Sequence, residues 1–144
     1  MAENLYWEDV AEGQELPALV KQPSKRQLVK YAGASGDFYE VHYDKDFAVE
    51  TGLPGLIVHG ALKNAYLAQV VTDWMGSTGA LKKLSVKYRG TDVPDDALTC
   101  SGRVTKTYVE DGVHQVDCAL TLVNGAGEQT TTGLATVILP SREK

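Results

Sequence analysis

Between Ala61 and Met75 the chain places Leu62, Ala65, Tyr66, Leu67, Ala68, Val70, Val71 and Trp74 so that apolar groups cover most of a helix's circumference. A helix at a protein surface keeps a polar stripe toward water, and one without such a stripe has to be covered. Gly76 and Gly79 end this helix. From about residue 80 the period changes from helical to two. Leu84, Val86 and Tyr88 alternate with Lys83, Ser85, Lys87 and Arg89. Leu98, Cys100, Gly102 and Val104 repeat the alternation, as do Val116, Cys118, Leu120 and Leu122. Glu110-Asp111-Gly112 and Asn124-Gly125 read as hairpin turns, the second leading into a strand from Gln129 to Leu139. The expectation is an α+β architecture, an antiparallel sheet wrapped around one central buried helix.

The first half reads as helix and loop, roughly over residues 24–76. Ahead of it, Leu16-Pro17-Ala18-Leu19-Val20 is a short apolar run in which Pro17 permits only an edge or opening strand. Ser24 caps a helix over Lys25 to Ala34, which Ser35-Gly36-Asp37 stops. Asp44 can cap a second short turn over Asp46 to Thr51, broken by Gly52-Leu53-Pro54-Gly55. No repeat or linker divides the sequence, so residues 1–144 are expected to form a single domain.

Composition narrows the function classes. Apolar residues make up 43% and charged residues 23% of the 144, a globular balance rather than a disordered one. The net charge of −5 argues against a nucleic-acid partner, which selects a basic face. The basic stripe of Lys82, Lys83, Lys87 and Arg89 is most simply a solvated strand face. Cys100 and Cys118 sit in strand-like stretches without CxxC spacing or clustered histidines, so neither a disulfide framework nor a zinc site is expected. The N-terminal residues Met1 to Asp9 carry acids where a secretory leader has a basic segment, and no run of about 18 apolar residues occurs. A cytoplasmic protein with no membrane partner is the expectation.

The chemistry is concentrated between Tyr31 and Gly60. Ser35-Gly36-Asp37 is followed by Val41-His42, then by Gly52-Leu53 and Val58-His59-Gly60 at the opening of the apolar helix. This arrangement resembles the MaoC-like family of hydratases and dehydratases, whose motif runs Ser-Gly-Asp-x-Asn-Pro-(Ile/Leu)-His, then Gly-Leu, then an apolar pair and His-Gly. The resemblance extends along nearly the whole chain. It implies a hot-dog fold and an enoyl-CoA hydratase, or 3-hydroxyacyl-thioester dehydratase, of the (R)-specific type. It places the catalytic acid and base at Asp37 and His42 and the oxyanion donor at the Gly60 N–H. It also implies association as a homodimer, or as a heteromer with a second hot-dog chain. No metal or redox cofactor is implied; coenzyme A or acyl carrier protein enters as part of the substrate.

The residue types suit that chemistry. Adding water across a conjugated thioester needs one group to take a proton from water and one to deliver a proton to the α-carbon, and an Asp and a His on one loop can hold a water between them. The first N–H groups of a helix lack internal partners and lie at its positive end. Gly60 opens the helix, and without a side chain it lets a carbonyl oxygen approach that N–H. The plainer reading of Asp37 is an Asx-turn residue after a helix, and of His59 a packing or capping group. Trp7, Tyr66, Trp74 and Tyr88 read as core or interface aromatics. The chain departs from the family at Tyr39-Glu40, which stand where the motif has Asn-Pro. That departure motivates a second reading, a non-catalytic or partner-dependent subunit of a heteromeric acyl-CoA hydratase; an acyl-CoA thioesterase on the same fold is a third, since hydrolysis also uses a water and an oxyanion site.

Overall fold

The computed structural model describes residues 4–143; Met1–Glu3, read above as part of a terminus without a leader, and Lys144 lie outside it. Five strands form one antiparallel sheet: β1 (Glu15–Lys21), β2 (Ala80–Tyr88), β3 (Leu98–Glu110), β4 (Val113–Val123) and β5 (Gln129–Ile138), in the order β1-β3-β4-β5-β2. The helices are α1 (Lys25–Ser35), α2 (Lys45–Glu50) and α3 (Gly60–Met75). α3 touches all five strands. Its Leu62, Leu67, Val70 and Val71 meet Cys100, Val104, Val116, Cys118, Leu120, Leu122 and Val137 in one core.

The period-two readings hold along β4, where Val116, Cys118, Leu120 and Leu122 are all buried. β1 lies at the sheet edge, and its pairing with β3 is irregular between Leu16 and Leu19. Pro17 causes the irregularity, because it has no N–H to give the ladder. Asp111 and Gly112 turn the β3–β4 hairpin with positive φ of 52° and 77°. The β4–β5 connection differs from the expected two-residue turn. It spans residues 124–128, and the left-handed position belongs to Gly127 rather than Gly125. The Asn124 carboxamide oxygen accepts from Ala126 and Glu128 N–H, which favours the longer loop.

α3 is not covered all round. Ala61, Ala65, Thr72 and Asp73 are exposed along one side. Within the apolar set sits a cation, Lys63, whose Nζ lies 2.9 Å from Asp92 Oδ2 with both side chains buried.

Candidate active site

The site is assembled from two pieces of chain. Ser24 caps α1 through a bond from Gln27 N–H, and Gly36 ends that helix at φ 79°. The Ser35 hydroxyl then donates to Tyr31 O at 2.7 Å and accepts from Asp37 N–H at 3.1 Å. These bonds aim the next residues back across the start of α3. Asp44 caps α2 from the other side, accepting from Phe47 N–H at 3.2 Å. Between them a short 3₁₀ turn, Glu40–His42, points His42 inward.

The second piece is the stretch leading into α3. Ile57 N–H donates to Val41 O, and Val58 N–H to Asp92 O. Ile57 O in turn lies 2.8 Å from His42 Nδ1. A carbonyl only accepts, so Nδ1 carries a hydrogen, and in the neutral form of the ring Nε2 is then a bare acceptor. That Nε2 faces Asp37 Oδ2 at 3.8 Å. This is too long for a direct hydrogen bond. Two acceptors so placed can both be satisfied by a molecule that donates to each, such as one water with its two O–H groups.

Asp37 serves two purposes at once. Its Oδ1 accepts from Tyr39 N–H at 3.3 Å, the Asx turn of the plainer reading, while Oδ2 remains free for His42. The side chains differ in exposure, 8% for His42 against 45% for Asp37. Tyr39, where the family motif has Asn, is exposed and sets its ring edge-on to both His42 and Phe47.

His59 packs rather than caps. It occupies the N-cap position of α3 without a side-chain cap bond. Its ring stacks on His42 with centroids 3.7 Å apart and meets Tyr31 edge-on at 4.8 Å. Burial, and secondarily the neighbouring His42, lower its pKa from the usual 6.5, so the neutral ring is favoured. Asp37, His42 and His59 offer three ligand atoms within 4.8 Å of one another. The two imidazole planes are only 20° from parallel, however, so their in-plane lone pairs do not converge on one ion.

Gly60 stands where expected, at the first position of α3. The structure gives a different reason for its lack of a side chain. A Cβ there would lie 3.1 Å from Tyr88 Cζ and 3.3 Å from Cε1. The Tyr88 hydroxyl donates to Gly60 O at 2.8 Å. Glycine thus makes room for a tyrosine, and Tyr88, expected in a core or interface, is half exposed beside the helix start.

The chain's residues 9–124 match the model of the MaoC like domain. The chain belongs to this family. The MaoC-like chain is 29% identical over 138 residues to an (R)-specific enoyl-CoA hydratase of Rhodospirillum rubrum, covering 95% of this chain and 93% of that one. It is 32% identical over 101 residues to the 3-oxo-4,17-pregnadiene-20-carboxyl-CoA hydratase beta subunit of Mycobacterium tuberculosis, covering 70% and 77%. In fold it matches the unliganded (R)-hydratase PhaJ1 of Pseudomonas aeruginosa, with a TM-score of 0.85 at 24% identity over 96% of this chain and 88% of that one. The sheet wrapped on a central helix is the hot-dog fold that the motif implied.

The MaoC-like chain also has a groove of about 590 Å³ on the sheet beside Pro17, Arg103 and Ala119. Its charged members, Glu15 and Arg103, are an ordinary cross-strand pair on β1 and β3. The facing side chains of Asp37 and His42 lie elsewhere. Sequence reading gave His59 a packing role without its partner, and it missed two features nearby: Tyr88 over Gly60, and the Lys63–Asp92 pair behind it. The last had a signal, a lone cation among the apolar positions of a core helix. The basic stripe behaves as a solvated face: Lys82 and Arg89 bond to Gln115 and Thr132, and Lys83 and Lys87 are exposed. Among the described residues no helix is long and apolar enough to cross a membrane.

Proposed function

We propose that this chain is a hydro-lyase that interconverts 2-enoyl and 3-hydroxyacyl thioesters. The observation that carries the reading is the pair of acceptors, His42 Nε2 and Asp37 Oδ2, facing each other at 3.8 Å next to a helix start. A water donating to both has its oxygen lone pair free to attack the β-carbon. Its oxygen bonds to that carbon, the acid–base pair takes its proton, and a proton passes to the α-carbon, so one water is added and nothing else is consumed. Dehydration is the reverse. The Gly60 N–H, without an intrahelical partner, stabilises the negative charge that grows on the thioester oxygen. Such a donor contributes on the order of 3 kcal/mol to lowering the barrier. Coenzyme A or acyl carrier protein arrives with the substrate, and no metal or redox cofactor takes part. The chain acts as a dimer or with a second hot-dog chain, in the cytoplasm.

The test is turnover. The purified chain, with any chain that co-purifies, is expected to consume the enoyl absorbance of crotonyl-CoA or a longer enoyl-CoA without releasing thiol. Thiol release would point to a thioesterase instead, and no change with any enoyl-CoA would end the hydratase reading. A second reading, a subunit that acts only with a partner chain, draws support from Tyr39-Glu40 in the acid–base loop and from the likeness to a relative named as a beta subunit. Activity of the chain alone excludes it.

A further inference from the structure

Tyr88 closes one side of Gly60, and nothing in the acid–base pair calls for it. Its ring fills the space a Gly60 side chain would take, with Cζ, Cε1 and Cε2 at 3.1, 3.3 and 3.4 Å from that position. Its hydroxyl donates to Gly60 O at 2.8 Å, on the peptide whose N–H belongs to Ala61. Burial, and then Tyr31, raise the phenol's pKa above 10, so it remains a donor at neutral pH.

The tyrosine is itself held. It ends β2, opposite Thr131. The chain beyond it is fastened by Arg89 and Gly90 N–H, both donating to Thr130 O. Lys63, one turn into α3 from Gly60, donates to Gly90 O at 3.2 Å and to Asp92 Oδ2 at 2.9 Å, and lies 5.5 Å from the Tyr88 ring centroid. Thr130 donates to the same carboxylate oxygen at 2.7 Å, and Asp92 O accepts from Val58 N–H just ahead of His59. The segment carrying Tyr88 and the segment carrying Gly60 are therefore tied together through a buried ion pair. Asp92 Oδ1 and His59 Nδ1 are buried without a partner, so the tie between the two segments rests on the bonds of Asp92 Oδ2, Asp92 O and Gly90 O.

Resting on the hydration reading above, we propose that Tyr88 is a positioning residue for the oxyanion site, fixing the first turn of α3 through its hydroxyl and restricting the approach to Gly60 with its ring. The hydroxyl holds the Gly60–Ala61 peptide in place, and the ring covers one side of Gly60. A thioester oxygen then reaches the helix start from the remaining side, which faces the acid–base loop.

The experiment combines steady-state kinetics on a 2-enoyl-CoA with thermal denaturation, using the full chain and any co-purifying partner. Tyr88→Phe keeps the ring and loses the hydroxyl. It is expected to lower kcat about three- to tenfold, the range of one neutral hydrogen bond, with KM within about twofold and the melting temperature nearly unchanged. A purely structural role would move the melting temperature and leave kcat of the folded enzyme alone. Gly60→Ala is expected to lower both melting temperature and kcat while Tyr88 is present. In the Tyr88→Ala background the same added methyl is expected to cost no stability. Wild-type kcat in Tyr88→Phe, or an equal cost of Gly60→Ala with and without the Tyr88 ring, overturns the proposal while leaving the hydratase reading intact. A wild-type chain that hydrates no enoyl thioester overturns the hydratase reading and the catalytic role of Tyr88 with it; the Gly60–Tyr88 coupling in melting temperature is a separate readout.

Discussion

The loop from Gly36 to Asp44 and the start of α3 lie against each other, yet they are built in opposite ways. In the loop the carboxylate is close to water: the Asp37 side chain is 45% exposed, its Oδ1 accepts from Tyr39 N–H, and its own N–H donates to Ser35 Oγ. At the helix start His59, Lys63 and Asp92 are buried, and Gly60 is wedged under Tyr88. His42 joins the two, bonded to Ile57 O and stacked on His59. The contrast separates two costs. The Asp37 carboxylate, near the surface, can be changed with little loss of fold, whereas at the helix start the polar groups are out of water and each removal strands a partner.

The largest effect expected from this contrast is chemical. Asp37→Asn keeps the Asx-turn oxygen and removes the proton acceptor, so hydration of crotonyl-CoA should fall about a hundredfold or more while the urea midpoint stays within error. A variant retaining a tenth of the activity would show that Asp37 is not the proton-handling group.

On the helix side the order is reversed, with stability lost first. Lys63→Met strands the buried Asp92 carboxylate and should destabilise the chain by about 3–5 kcal/mol in urea denaturation. Adding Asp92→Leu should restore much of that loss, since an apolar pair can replace a buried ion pair. A loss below about 1 kcal/mol in the single variant would mean that water reaches the pair.

A smaller effect comes from His59. Its folded pKa lies below the unfolded value of 6.5 because of burial and then His42. On acidification the unfolded chain therefore binds a proton before the folded one does. The stability from keeping His59 neutral is complete above about pH 6.5 and is lost as the pH falls from there toward the folded pKa. Melting temperatures between pH 8 and pH 5 should show the decline, with a shallower slope in His59→Gln. Equal slopes would remove His59 as the group responsible.

The smallest effect belongs to the core that both regions rest on. Burial pushes the Cys100 thiol up to about 11 and the Cys118 thiol up to about 12. Neither should react with a maleimide at neutral pH in the folded chain, and both should react in urea. Labelling of the native protein would mean the sheet opens more readily than its packing implies.

Much of this fold is written in local periodicity. The period-two runs at Leu98–Val104 and Val116–Leu122 are strands because an alternating face has only one way to be buried, and they became β3 and β4. Ser24 and Asp44 begin helices because each has an oxygen for an orphan N–H one turn on. The β4–β5 loop was less legible, because Asn124 can serve either a two-residue turn or the five-residue loop its carboxamide stabilises.

The order Asp37, His42 and His59-Gly60 is carried by the sequence, and with it the family and the kind of chemistry. The tertiary structure decided how those groups meet. Ile57 O fixes which nitrogen of His42 carries the hydrogen, and the fold sets its other nitrogen 3.8 Å from Asp37. Gly60 opens the helix, and Tyr88 takes the space on one side that a side chain there would fill. Twenty-eight residues separate these two. No local pattern couples them, because their contact arises only when β2 closes over the start of α3.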